Sequence, residues 1–222
     1  ALATFYNGLA TTKPCGKLDT PTSIAVEQAA AILAADNGPG AKAILLVTAD
    51  DDPDFCDDVG PDCGNDGAIG AMQAAHALGI QTFVFALDNA DIAHKDWLDF
   101  WAQAGSGQEP NWTTGLTKDQ YSGAVFNACN GNSRWQSAWT AAGRSGFDPI
   151  GTYSTAGGTA TAFVSADTTA VSNEIRSKVE GLKSCIQDLS SENFAGVKEG
   201  AKGKIFLNNG TTPIPDERWR MN

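Results

Sequence analysis

Hydrophobic and polar residues alternate along the first half of the chain in blocks that predict strands and helices in turn. Residues 42–48 and 80–87 are short, almost wholly apolar runs, which is typical of strands buried inside a parallel sheet. Residues 21–35, about 66–78 and about 93–104 have the composition and length of helices. This rhythm predicts an α/β fold in which a parallel, Rossmann-like sheet carries helices on both faces.

Local signals predict where the helices begin and end. Thr20 suits the N-cap of the first helix and Pro21 its first turn, while Asp66 suits the N-cap of the second helix and Gly79 its end. The apolar stripe of the first helix has the i, i+3, i+4, i+7 spacing that faces a core. Its members are Val26, Ala29, Ala30 and Leu33.

The middle of the chain, from about 107 to 158, interrupts this rhythm. It is rich in Gly, Asn, Ser and Thr, so we predict an irregular insertion, and long insertions of this kind are usually functional. Two interpretations of its tryptophans stay open: anchors for a protein partner, or a small separate core that holds the insertion down. The residues concerned are Trp112, Trp135 and Trp139.

The regular pattern returns after the insertion. Residues 159–166 are predicted as a strand and 168–184 as a helix, and together they complete an α/β domain over 1–185. The tail, 186–222, contains two short apolar runs around an Asn-Asn-Gly turn. It is therefore predicted to be a small β appendage built on a hairpin.

Charge and hydropathy narrow the range of partners. The net charge of −11 argues against nucleic acid and anionic membranes, because both attract positively charged surfaces. No apolar run approaches the roughly 20 residues that a membrane-spanning helix needs. We therefore expect a protein partner.

The five cysteines indicate disulfides and an oxidising compartment, hence an extracellular or cell-surface protein. Their spacing to one another and to the two histidines does not resemble a zinc site. We predict a disulfide from Cys15 to Cys56 or Cys63, and a second from Cys129 to Cys185. Five is an odd number, so one cysteine is free or bonds to another chain.

Eight carboxylates follow the first predicted strand, between Asp50 and Asp66. Ligands and ions bind outside the carboxyl ends of strands in open α/β sheets, and Ca²⁺ and Mg²⁺ prefer oxygen ligands. We therefore take Asp50, Asp51, Asp52 and Asp54 as candidate ligands for Ca²⁺ or Mg²⁺; the alternative is a solvated acidic loop. An enzymatic alternative makes 50–52 the divalent-metal site of a glycosyltransferase-like or phosphatase-like enzyme.

Four segments resemble the von Willebrand factor A-type domain, especially its secreted bacterial forms. The resemblance lies in a Thr-Pro segment that opens a helix, a strand that ends in Val-Thr and acidic residues, the next strand, and the helix after it. These segments are Cys15-Gly-Lys-Leu-Asp-Thr-Pro-Thr-Ser23, Ile44-Leu-Leu-Val-Thr-Ala-Asp-Asp-Asp-Pro53, Gly79-Ile-Gln-Thr-Phe-Val-Phe-Ala86 and Trp97–Gly105.

The resemblance implies a non-enzymatic adhesion or interaction module within a surface or secreted assembly. Thr20 corresponds to the family's metal-binding threonine, but Ala49 stands at its metal-associated aspartate, so Asp50 or Asp51 would have to serve. The family's Asp-x-Ser-x-Ser loop is missing upstream of Thr20. We therefore expect another chain, or a cleaved upstream segment, to complete the sheet along 44–47 or 83–87.

Overall fold

The structure is a computed structural model that describes residues 20–38, 40–49, 53, 61–87, 95–111, 118–182, 206–207 and 212–213. The chain forms two compact units, Ala1–Ser184 and Cys185–Asn222. Within the described residues, no helix is both long and apolar enough to cross a bilayer.

The first unit is built on a parallel sheet of three described strands, in the order β1-β2-β3. Strand β1 (Lys42–Thr48) pairs with β2 (Ile80–Leu87) along its whole length, from Lys42 opposite Ile80 to Thr48 opposite Ala86. The bounds of both strands agree with the prediction. Strand β3 (Phe163–Ser165) pairs only with the last three residues of β2.

Strand β3 is shorter than the predicted run of 159–166 because side chains take its first backbone donors. The amides of Thr159 and Ala160 donate to Gln108 Oε1 at 2.7 and 3.0 Å, and that of Ala162 donates to Asp99 Oδ1 at 2.9 Å. These N–H groups are therefore satisfied without a strand partner.

Helices lie on both faces of the sheet. Helices α1 (Thr22–Ala35), α2 (Pro61–Ala77) and α3 (Lys95–Gly105) cover one face and enclose the main core, which includes the predicted stripe of the first helix. Helix α6 (Thr168–Leu182) contacts β2 and β3 on the other face, where its Lys178 lies over the Phe83 ring. The largest fully buried side chains include Trp101, Trp135, Phe85, Ile69, Met72, Ile80 and Leu98.

Both predicted N-caps are wrong. In α1 the N-cap position is Pro21, with no side-chain cap, while the carbonyl of Thr20 accepts from the backbone N–H and hydroxyl of Thr22. Helix α2 begins at Pro61, five residues before Asp66, in keeping with the preference of proline for the first helical position. Asp66 therefore lies inside the helix, a position that decides its role.

The segment predicted as irregular contains two helices, so that prediction is wrong for much of its length. They are α4 (Lys118–Cys129) and α5 (Ser133–Ala141). Asn132 caps α5 by accepting a hydrogen bond from the backbone N–H of Trp135 at 2.8 Å. The polar composition of this segment did not predict the two helices, because tertiary packing, rather than helix propensity, stabilises them.

In the second unit, the strands β4 (Phe206–Leu207) and β5 (Thr212–Pro213) form an antiparallel pair. They lie within the two runs from which the hairpin was predicted, while residues 208–210, the predicted turn, lie outside the described residues.

Candidate functional site

Asp66 joins the core of the sheet domain to the inserted segment. Its carboxylate is completely buried and accepts four hydrogen bonds, two on each oxygen. The donors are Trp135 Nε1 at 2.9 Å, the Ile150 amide at 2.9 Å, the Gly151 amide at 3.0 Å and the Tyr153 hydroxyl at 2.9 Å. All of them belong to the segment predicted as irregular, so one carboxylate organises its packing on α2.

A second side chain of α2 forms hydrogen bonds with the same segment. Gln73 lies seven residues after Asp66, so both project from one face of the helix. Its amide donates to the Thr152 carbonyl at 2.7 Å and its carbonyl accepts from the Thr152 amide at 2.8 Å. Residues 150–153 are therefore fixed at two levels along α2.

Two opposing effects act on the pKa of Asp66. Burial, the larger effect, raises the pKa above the ordinary value of 3.8 because the charged form loses its hydration. The four donors lower the pKa, since each one stabilises the carboxylate. The net direction is upward.

A disulfide between Cys63 and Cys129 ties the N-terminal part of α2 to the end of α4, with a Cα–Cα distance of 5.3 Å. The predicted pairs Cys15–Cys63 and Cys129–Cys185 are therefore wrong. Cys15, Cys56 and Cys185 lie outside the described residues, so the Cys15–Cys56 pair stays a prediction. A disulfide at Cys63, beside Asp66, adds a covalent link to the hydrogen bonds that hold the insertion.

The candidate tryptophans differ in their surroundings. Trp135 is fully buried and stacks on the half-buried Trp139, with ring centroids 6.0 Å apart. Phe126 contacts both rings, and Trp139 Nε1 donates to the Asp148 carbonyl at 2.8 Å. These are the contacts of the second interpretation, a core that holds the insertion down. Trp112 lies outside the described residues.

The candidate metal ligands cannot be assembled into a site from the described residues. Asp50, Asp51, Asp52 and Asp54 lie outside them, while Thr20 is half-buried at the start of α1. In the described part of the chain, no three His, Cys, Asp or Glu side chains lie close enough together to hold a metal ion. The cation hypothesis therefore stays a prediction.

Strand β1 presents apolar side chains that its own fold does not bury. Ile44 points into the core and is 9% exposed, whereas its neighbours Leu45 and Val47 are 37% and 48% exposed. Among the described residues, β1 has a strand neighbour only on the β2 side. The other predicted contact, along 83–87, is wrong for Phe85 and Ala86, because both residues already pair with β1 on one edge and with β3 on the other.

Sequence reasoning missed the role of Asp66 and the partners that it gathers. The available signal was a lone carboxylate among small and apolar residues, Gly67-Ala-Ile-Gly-Ala-Met72, which is unusual in a solvent-facing helix. The backbone donors at 150 and 151 carry no sequence signal.

Comparison with known proteins found no matching family model, no matching curated protein and no matching solved structure.

Proposed function

We propose that this chain is an extracellular protein-interaction module of the von Willebrand factor A-like type. A separate polypeptide, or a cleaved upstream segment, adds a strand beside β1. The observation that carries the proposal is the exposure of Leu45 and Val47 on a strand that has, in the described part of the chain, a strand neighbour only on the β2 side.

The physical argument is strand addition. An edge strand presents unpaired N–H and C=O groups, and an extended peptide can pair with them through its own backbone. Proteins usually protect such an edge with charges or proline, but residues 43–47 of β1 are wholly apolar. A partner strand would also cover Leu45 and Val47, so it would gain hydrophobic contact in addition to backbone hydrogen bonds.

Two further features support the compartment and the kind of partner. The Cys63–Cys129 disulfide is the type of bond that persists in oxidising environments outside the cytosol. A net charge of −11 disfavours nucleic acid and anionic lipid surfaces. Both features fit a component of a secreted or surface assembly.

Site-specific photo-crosslinking tests the proposal in the organism that makes the protein. A benzophenone amino acid replaces Val47 in one variant and Leu78 in a control. Leu78 is 62% exposed, so it is at least as accessible, but it lies in the turn before β2. We expect position 47, and not position 78, to cross-link to peptides of a second polypeptide or of the upstream segment. Cross-links confined to residues 20–222, or equal partner yields at both positions, would contradict the proposal.

A divalent cation at the acidic run remains part of the proposal. If a cation binds there, calorimetric titration with Ca²⁺ or Mg²⁺ should give a saturable heat of binding, and the double substitution Asp50→Asn and Asp52→Asn should abolish that heat. An absence of heat would remove the cation from the proposal and leave the strand-addition interface in place. Turnover of sugar nucleotides or phosphate esters would instead favour the enzymatic alternative.

A further inference from the structure

The face of the sheet opposite the main core carries side chains of both β1 and β2. Side chains alternate between the two faces of a strand, and Lys178 of α6 lies over the Phe83 ring, so Phe83 and Phe85 point toward α6. In the register of the sheet, Leu45 lies beside Phe83. Val47 lies beside Phe85 in the same way, so both side chains of β1 point to the face that α6 covers.

Exposure on this face changes sharply over one strand spacing. Phe85 is 1% exposed, whereas Val47, one strand away, is 48% exposed. A flanking strand alone leaves such a side chain partly open, since β2 lies beside Leu45, which is still 37% exposed. A second flanking strand would cover the outer side of Leu45 and Val47, but full burial needs a helix above them, as both faces of parallel sheets normally have.

Helix and strand spacings show where that helix would lie. Neighbouring strands are about 4.8 Å apart, and helices packed side by side are about 8–10 Å apart. One helix therefore covers two strands, and α6 contacts β2 and β3. The next helix position on this face lies over β1 and the strand proposed beside it.

A groove of about 340 Å³ lies between β1 and the C-terminal part of α6. Val179 and Leu182 of α6 line it, together with Leu45 of β1. Val179 is apolar and yet 39% exposed. Asp36 and Lys42 also line the groove, and the Lys42 ammonium donates to the Asp36 carbonyl. The side of α6 that faces β1 is therefore apolar and open, as is the β1 face beside it.

We propose that the partner strand brings an amphipathic helix with it, and that this helix packs beside α6 over Leu45 and Val47. Its apolar side contacts β1 and Val179. An acidic residue on its flank faces Arg176, which is exposed three residues before Val179 and therefore lies on the same side of α6. The inference rests on the proposed function, because the helix covers the pair of strands that strand addition creates.

The handedness of strand connections gives the order of the two elements in the partner. Helix α2 joins β1 to β2 across the face of the main core, and parallel strands are connected right-handedly in nearly all proteins. A right-handed connection across the opposite face runs in the opposite direction along the sheet, away from β1. For an added strand parallel to β1, we therefore expect the helix to follow the strand in sequence.

Benzophenone cross-linking at position 47, in the organism that makes the protein, tests the helix when a second substitution is added. Val179→Asp puts a carboxylate inside the proposed helix contact, where an unpaired charge is unfavourable, and should lower the yield of the partner cross-link at least about tenfold. Ser177→Asp is the matched control, because it adds the same charge at an exposed position about 200° away around α6, and it should leave the yield unchanged. Both positions are solvent-accessible in the isolated chain, so both variants should melt within about 2 °C of the wild type.

The outcomes separate the helix from the strand. An unchanged yield in Val179→Asp would leave the strand interface in place and overturn the helix. If position 47 captured no partner even without a second substitution, the proposed function would fail, and this inference with it. A benzophenone amino acid at position 179 gives an independent readout: it should capture the same polypeptide, C-terminal to the segment captured at position 47. No capture at 179, equal capture at 177, or a captured segment N-terminal to the strand would also overturn the inference.

Discussion

Replacing Asp66 tests whether this carboxylate holds the inserted segment on α2. Asp66→Ala removes the acceptor of four donors, of which Trp135 Nε1, the Gly151 amide and the Tyr153 hydroxyl are in buried hydrogen bonds. An unsatisfied buried donor costs about 1–3 kcal/mol, so three of them give roughly 3–9 kcal/mol. Removing a desolvated carboxylate offsets part of this cost, and we therefore expect the lower half of that range.

Asp66→Asn should lower the free energy of unfolding by less than Asp66→Ala, because of the way the four donors are divided between the two oxygens. One oxygen remains to accept two of the donors, and the new NH₂ group faces the other two. If it faces the Gly151 amide and Tyr153, the tyrosine hydroxyl can rotate and accept a hydrogen bond from it, while the Gly151 amide and the second N–H of the new group both stay without an acceptor. Because the remaining oxygen still accepts two of the original hydrogen bonds, we expect a smaller loss of stability than for Asp66→Ala.

Urea denaturation followed by tryptophan fluorescence and circular dichroism measures both free energies of unfolding. Trypsin provides a local readout, because Arg144 lies in the segment that Asp66 holds, and cleavage there should accelerate in Asp66→Ala. The control is Asp148→Asn, an exposed carboxylate of the same segment. The reasoning would be refuted if the free energy of unfolding of Asp66→Ala were within about 1 kcal/mol of that of this control and its rate of trypsin cleavage were unchanged. The four hydrogen bonds would then not stabilise the insertion.

Three further predictions concern pH, the disulfide and helix packing. Burial raises the folded-state pKa of Asp66 above 3.8, so the free energy of unfolding of the wild type, relative to that of Asp66→Asn, should fall as pH rises from 3.8 through the folded-state pKa. Urea denaturation at a series of pH values measures this difference. If the difference rose with pH instead, the hydrogen-bond donors would outweigh burial in their effect on the pKa. Replacing Cys63 and Cys129 by serine opens a loop of 66 residues and should lower the free energy of unfolding by up to about 4 kcal/mol. An unchanged urea midpoint would show that the disulfide does not stabilise the fold. Gly70→Ala should destabilise by about 1–3 kcal/mol through overlap with a neighbouring side chain, whereas Gly123→Ala, in open space within a helix, should stabilise by up to about 1 kcal/mol; equal effects would contradict the packing described.

Patterns that depend on local sequence predicted much of the sheet domain. The strands at 42–48 and 80–87 were found to the residue because each apolar run has sharp polar limits, although β1 is buried on one face only. Helix starts were less predictable. Pro61 and Asp66 both suit a helix N-terminus, and the sequence alone does not tell which one begins the helix.

The organisation of the insertion could not be predicted because it depends on long-range contacts. Asp66 meets donors 69 to 87 residues away, and two of them are backbone amides, which every residue type except proline offers. The Cys63–Cys129 pairing was missed for the same reason, since spacing along the chain does not determine connectivity.

Amide hydrogen exchange along β1 tests the proposed function most directly. In a parallel strand, alternate N–H groups of residues 43–47 point away from β2, and a partner strand would have to accept from them. We predict that these amides exchange rapidly in the isolated chain and become protected in the assembly purified from its source. Protection of the same amides in the isolated monomer would mean that the chain completes its own sheet, and would contradict the account.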